Sequence, residues 1–301
     1  MQQKFTQEAD FRQERDFGQK ITATFEFLGA HWRPLGKCVM YFVVPVALLA
    51  GLGLGITNNY TYNTMDGALS GSAVQRFDNP LAGIGLVGML LSYALLAATV
   101  YGYIRLRMEQ PAHEPVTPQQ VGRIVARRFP MLLLGALAAI IISMLGTFLL
   151  IIPGIYLSVA LSLIWTTQVF EDAGVGTGIS RSMHLLKGHW WSMLGLSIVM
   201  SIIVSMLGMV FSITQIFAVI GKLLHWPFLS SDVLMVGSSI ISSVGSILLY
   251  SLLMVAYAFQ YFNLVEKKEG LGMRNIIASL GSTAAPTVQN ASFRPDDEGE
   301  Y

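Results

Sequence analysis

Charge is scarce in this chain. Asp, Glu, Lys and Arg make up 12% of its 301 residues, about half the share usual in soluble domains. The shortage falls in blocks. Six apolar stretches, near 38–56, 81–104, 131–152, 154–170, 192–214 and 233–262, contain no Asp, Glu, Lys or Arg at all. Cysteine is nearly absent too. Cys38 stands alone, which excludes an intrachain disulfide. At the mouth of the first stretch it reads as a small interfacial hydrophobe, with palmitoylation as the other reading. Motifs for chemistry are also lacking. There is no G-x-S-x-G elbow, P-loop or dinucleotide fingerprint. His31, His113, His184, His189 and His225 are scattered through interfacial or loop sequence. No catalytic, cofactor-binding or metal-ligating set is expected, and the chain is not expected to be an enzyme. A net charge of +1 offers nothing to nucleic acid.

What is present is length without charge. About 20 apolar residues cross the hydrocarbon core of a bilayer. A charge at the centre of such a helix costs on the order of 2.5–3.5 kcal/mol, while each Leu or Ile returns a few tenths. The pattern predicts an all-α integral membrane protein with six transmembrane helices. The expected domains are a polar N-terminal segment (1–16), a six-span membrane domain (17–265) and a largely disordered tail (266–301). Acidic residues from Glu8 to Glu26 precede the first apolar run, so no cleavable signal peptide is expected.

Seventeen of the nineteen Lys and Arg fall before span 1, between spans 2 and 3, between spans 4 and 5, or after span 6. Only Arg76 and Lys222 lie on the other side. Basic connections stay in the cytoplasm, so both termini should be cytoplasmic, as an even span count also requires.

The segments before spans 1, 3 and 5 look alike. They run from Phe17 to Pro34, from Thr117 to Pro130 and from Gly176 to Trp191. Each places apolar residues at helical spacing: Ile21, Phe25 and Leu28; Val121, Ile124 and Val125; Ile179, Met183 and Leu186. Thr117-Pro118 reads as an N-cap followed by proline at the first helical position. The spans are therefore expected as three hairpins, each preceded by an amphipathic interfacial helix. Such an internal repeat fits either a pseudo-symmetric transporter or an old duplication kept for packing. Arg127, Arg128, Arg181 and Lys187, with Trp190 and Trp191, are the expected contacts to lipid headgroups, anionic ones on the cytoplasmic side.

Within the spans, Ser197, Ser201 and Ser205 recur every four residues on span 5, and span 6 carries Ser242 among further serines. These faces either pack the two helices or line a hydroxyl path between them. Gly51 and Gly55 form a GxxxG step in span 1. Pro45 should kink that span, and Pro153-Gly154 should divide spans 3 and 4. Gln168, Gln215, Gln260 and Asn263 are expected to cap helix ends.

The run Ile152-Pro153-Gly154-Ile155-Tyr156-Leu157, then Val169-Phe170-Glu171-Asp172, then Gly174 to Ser182 and Leu185-Leu186-Lys187-Gly188-His189-Trp190-Trp191, resembles a bacterial family. It is the polytopic membrane domain found alone or beside glycerophosphoryl diester phosphodiesterases. The resemblance implies a bacterial inner-membrane protein. It carries no catalytic residue over, since the phosphodiesterase is a separate barrel. Together these readings favour a membrane scaffold or accessory component with the lipid bilayer as its partner. The alternative is a transporter or lipid-handling protein using the serine faces.

Overall fold

The computed structural model describes residues 5–64, 80–111, 113–224, 226 and 231–270. Among these residues the chain is helical, with no strand. The helices are α1 (Glu8–Phe11), α2 (Phe17–Phe42), α3 (Val44–Thr64), α4 (Pro80–Glu109), α5 (Pro118–Leu149), α6 (Ile151–Ala160), α7 (Ile164–Phe170), α8 (Val175–Leu186), α9 (Trp190–Leu223) and α10 (Asp232–Glu269). Five are long and apolar enough to cross a membrane when α6 and α7 count as one, and six when the bent pair α2–α3 is added. The readings placed on Arg76, on His225 and on the tail beyond Gly270 lie outside the described residues.

The bend between α2 and α3 is 55°. It falls at Val43, just before Pro45, which cannot donate to the Tyr41 carbonyl and crowds that turn. Helix formation overruns the apolar stretches at several ends. α3 continues past Ile56 to Thr64, and α9 runs nine residues beyond 214. Thirty-four residues in α9 span about 50 Å, well beyond a hydrocarbon core of about 30 Å.

Two expected interfacial helices are not separate elements. The first is the opening half of α2, and the second is the opening of α5, with Pro34 and Pro130 carried inside the helices. Only the third stands apart. Gly188, at φ 86°, takes a left-handed conformation between α8 and α9. Thr117 does cap α5, in a reciprocal box with Gln120 and with Pro118 following.

The expected turn at Pro153-Gly154 moves too. The chain reverses at Leu150, which is extended at φ −159° and ψ 144°. Pro153 then sits in the first turn of α6, where its missing N–H has no helical partner to lose. Gly154 serves close approach: a Cβ there would meet Thr147 Cα at 2.6 Å. Cys38 is fully buried within α2, so its thiol is not exposed for acylation.

α3 packs against α4 and α10, α9 against α10, and α5 against α4 and α6. Glycines make these seams close. A Cβ on Gly51 would lie 2.9 Å from Ile240 Cα, and one on Gly55 3.0 Å from Val236 Cα. The GxxxG step therefore meets the small-residue stripe of α10, including Ser239 and Ser243. The core lies toward one end of the bundle. From Leu253 to Glu266 every residue of α10 is buried except half-buried Tyr257. At the far end Phe148, Leu149, Ile151 and Ile152 are exposed, as are Met206, Met209 and Val210 on α9. Apolar side chains bared in such numbers suit lipid as their surroundings.

Gly55→Leu should lower stability by about 1–3 kcal/mol through overpacking, read as a lower Tm in detergent. Gly237→Leu should leave Tm level or raise it, because nothing lies within 4 Å of its added Cβ. Equal effects at both sites would show that the α3–α10 seam does not limit stability.

Candidate functional site

The buried end of α10 coincides with the chain's basic end, where the first turns of α2 and α5, the last turns of α4 and α10, and α8 converge. Between α7 and α8 the backbone breaks at Glu171 and Asp172. Asp172 takes a left-handed φ of 54°, a conformation that Asp and Asn tolerate better than most. Glu171 accepts from Tyr261 Oη at 2.8 Å, and Arg181 Nε sits 2.8–2.9 Å from both its oxygens. Arg181 also pairs with Glu269 at 2.5 Å. Asp172 accepts from Arg105 at 2.7 and 3.1 Å and pairs with Arg128 as well. Arg105 donates further to the Val169 carbonyl at 2.6 Å and to Glu109 at 2.8 Å. Two adjacent carboxylates thus tie α4, α5, α8 and α10 together. Hydrogen bonds from Arg181 to Glu269 and then Glu171 push its pKa up despite partial burial, so it stays charged.

A second polar group closes the same end. Lys20, only 3% exposed, donates to Gln260 Oε1 at 2.7 Å and Ser192 Oγ at 3.3 Å. Asn263 Oδ1 accepts the Arg15 backbone N–H at 2.8 Å. Gln260 and Asn263 therefore receive donors from the N-terminal region in mid-helix rather than capping an end. Gln168, fully buried near the end of α7, instead donates across to the Met131 carbonyl at 3.2 Å. Residues 5–16, read as a polar segment, are partly core. Phe5 and Phe11 are buried with Phe27, Phe259 and Phe262, ring centroids about 5.4–6.1 Å apart. Burial lowers the pKa of Arg15, and nearby Asp10 offsets part of that shift.

The expected headgroup contacts divide into two kinds. Arg127 and Lys187 are exposed, whereas Arg128 and Arg181 are engaged by carboxylates. Trp191 is 78% exposed. Trp190 is half-buried, stacked on Tyr156 at 5.7 Å and donating to its carbonyl at 3.2 Å.

The serine faces are corrected by the structure. Ser201 and Ser205 are exposed on α9, pointing away from the seam with α10. That seam is filled by Leu196 and Met200 against Leu253 and Ala256, with Phe211 closing on Gly245. Ser197 alone reaches across, accepting from Tyr257 Oη at 3.0 Å. Ser242 is half-buried, and its neighbours Ser239 and Ser243 face α3. Four-residue spacing identifies a face but not its orientation, and the bulkier Leu and Met face of α9 has more area to bury.

Glu171 and Asp172 are not legible as an ion-pair centre because their partners come from four separated segments. Their only sequence signal is two acids ending an apolar run. Chemically the cluster is self-satisfying: each carboxylate is already met by arginine side chains. Among the described residues no three His, Cys, Asp or Glu side chains gather as a metal site.

Fold and site together define an all-helical protein with five or six helices able to cross a membrane, tied at one end by ion pairs. The chain belongs to DUF7847, a domain of unknown function, whose profile matches residues 87–264. That region runs from within α4 into α10. Nothing in this match links the chain to glycerophosphoryl diester phosphodiesterases. No curated protein and no solved structure matches it.

Asp172→Asn keeps the backbone preference but withdraws the charge shared by Arg105 and Arg128. It should destabilise by about 1–2 kcal/mol, seen as a fall in Tm. Glu8→Gln breaks a single local i,i+4 pair with Arg12 and should cost less than about 1 kcal/mol. Matching losses would deny the Asp172 cluster any special part in holding the helices.

Proposed function

We propose that this protein is a non-enzymatic, multi-pass scaffold or accessory component of a bacterial cytoplasmic membrane, with both termini on the cytoplasmic side. The observation that carries this reading is the division of the molecule into two regimes. One end gathers nearly all the charge, much of it paired internally. The rest exposes apolar side chains on α5, α6 and α9. The bacterial assignment draws on the resemblance over residues 152–191. The orientation draws on the distribution of Lys and Arg.

The membrane contact proposed here uses the cations that carboxylates do not engage. Exposed Arg127 and Lys187, with Trp191 at interfacial depth, face anionic headgroups on the cytoplasmic leaflet. Each basic residue near such a surface contributes about 1 kcal/mol. Arg128 and Arg181 support the contact indirectly, by fixing the helices that carry the exposed pair.

Two measurements test this. Reporter domains fused at Met1 and after Tyr301 should read out cytoplasmic, and one inserted after Asn63 should read out on the opposite side. Asn63 and Tyr301 reporting the same side would overturn the topology. Separately, Arg127→Gln with Lys187→Gln should reduce retained anionic lipid, counted by native mass spectrometry, roughly fivefold per residue. Unchanged retention would remove these side chains from the contact.

A further inference from the structure

Beside the middle of α2, where the chain leaves α4 for α5, lies a cavity of ≈510 Å³. Its wall includes Arg107, from the last turn of α4, and the buried rings of His31 and Tyr103. Arg33 and His113, both exposed, stand at the mouth with Glu114. Trp32, 62% exposed, forms the lip, with the Arg33 guanidinium 5.4 Å from its ring centroid.

Arg107 is the unusual member. It is 5% exposed, and among the described residues no carboxylate pairs with it. Its guanidinium donates to the carbonyls of Glu114 at 2.8 Å, Gln110 at 3.1 Å and Pro111 at 2.5 Å. Those bonds fold the loop that follows α4. Nε has no partner and no access to water. Neutral carbonyls stabilise a buried cation less well than a counter-ion does. Arg15 and Lys20, the other buried cations at this end, are likewise met by carbonyl, hydroxyl and amide oxygens, but of the three only Arg107 lines this cavity. Around the cavity the fixed charges are two guanidiniums against the single carboxylate of Glu114, and His113 can add a donor at the mouth.

We propose that this cavity binds a phosphate group, with Arg107 as its buried cation and Arg33 and His113 as donors at the rim. Guanidinium favours phosphate over monovalent halide through directed, charge-assisted hydrogen bonds. The same chemistry is offered by a phospholipid headgroup entering past Trp32 and by a free phosphate. The site shares no residue with the surface contact of Arg127 and Lys187, so either assignment can fail without the other.

The test uses the full-length protein in uncharged detergent, with inorganic phosphate and dihexanoyl phosphatidylglycerol as probes and sodium chloride at matched ionic strength as the reference. At least one probe should raise Tm beyond the chloride reference. Response to inorganic phosphate identifies a free phosphate as sufficient, and response to the short-chain lipid alone identifies a headgroup. Arg33→Gln with His113→Gln alters only exposed positions and should weaken the responding probe at least tenfold, with Tm in its absence unchanged. Arg107→Lys keeps the charge without the planar fork and should weaken it as well. The Arg127→Gln, Lys187→Gln protein should respond as the parent does. No response to either probe, or a response that survives the rim substitutions, would overturn the proposal.

Discussion

The C-terminal third of α10 is a helix with no outside. Residues 253–266 pack against α2, α4, α7, α8, α9 and the N-terminal segment, and a helix covered on all sides must be apolar all round or have its polar groups met by neighbours. It is mostly apolar, but Gln260, Tyr261 and Asn263 are among the exceptions. Each fixes a partner: Lys20, Glu171 and the Arg15 backbone respectively. An amide or phenol left unmet in that position would cost on the order of 1–3 kcal/mol. The polar groups of α10 therefore dictate where α2, the N-terminal segment and the α7–α8 break must sit.

The rest of the bundle obeys a different rule. Away from the basic end, helix faces need not be covered, because hydrocarbon solvates Leu, Ile and Phe as well as a protein core does. Association there depends on close packing, which is why the seams of α3 are made by its own Gly51 and Gly55 against α10 and by Gly85 and Gly88 of α4 against Leu54 and Ala50. α9 and α5, which lack comparable contacts on most of their surface, are bare over most of their length. One helix, α10, belongs to both regimes: small residues meet α3 in its first half, and a covered polar-aromatic segment follows.

Much of the helical layout was legible from sequence, since absence of charge over about 20 residues has few physical explanations. The bend before Pro45 and the Thr117-Pro118 start of α5 were legible for the same reason: proline and N-cap chemistry act locally. What escaped reading depends on partners distant in sequence. Phe5 and Phe11 lie among charged residues, and nothing nearby shows that they enter a cluster with Phe259 and Phe262. Glu171 and Asp172 resemble any acidic pair at the end of a span until Arg105, Arg128 and Arg181 are brought beside them. The serines of α9 were misread because periodicity defines a stripe without saying which way it turns, and in a lipid-exposed helix a stripe of small hydroxyls can face outward at little cost. GxxxG in α3 was the better guide, since its glycines have a purpose only where another backbone comes close.

The crowding of cations at one end has two physical sources that composition alone merges. Orientation counts Lys and Arg whether or not they are paired, because acidic residues contribute little to that bias. Attraction to anionic headgroups counts only charge that remains available at the surface. Arg105, Arg128 and Arg181 contribute to the first and are largely withdrawn from the second by Asp172, Glu171 and Glu269. Lys268 is withdrawn differently: its ammonium donates to the carbonyls of His184 and Lys187 at the end of α8, where the helix dipole favours a cation. That bond couples the end of α10 to the left-handed turn at Gly188, so the amphipathic α8 is held at its middle, by Arg181 to Glu171, and at its end, by Lys268. A strongly basic face in the sequence has thus become, in the fold, mainly the means by which the helices hold one another, with a smaller remainder left exposed at the surface.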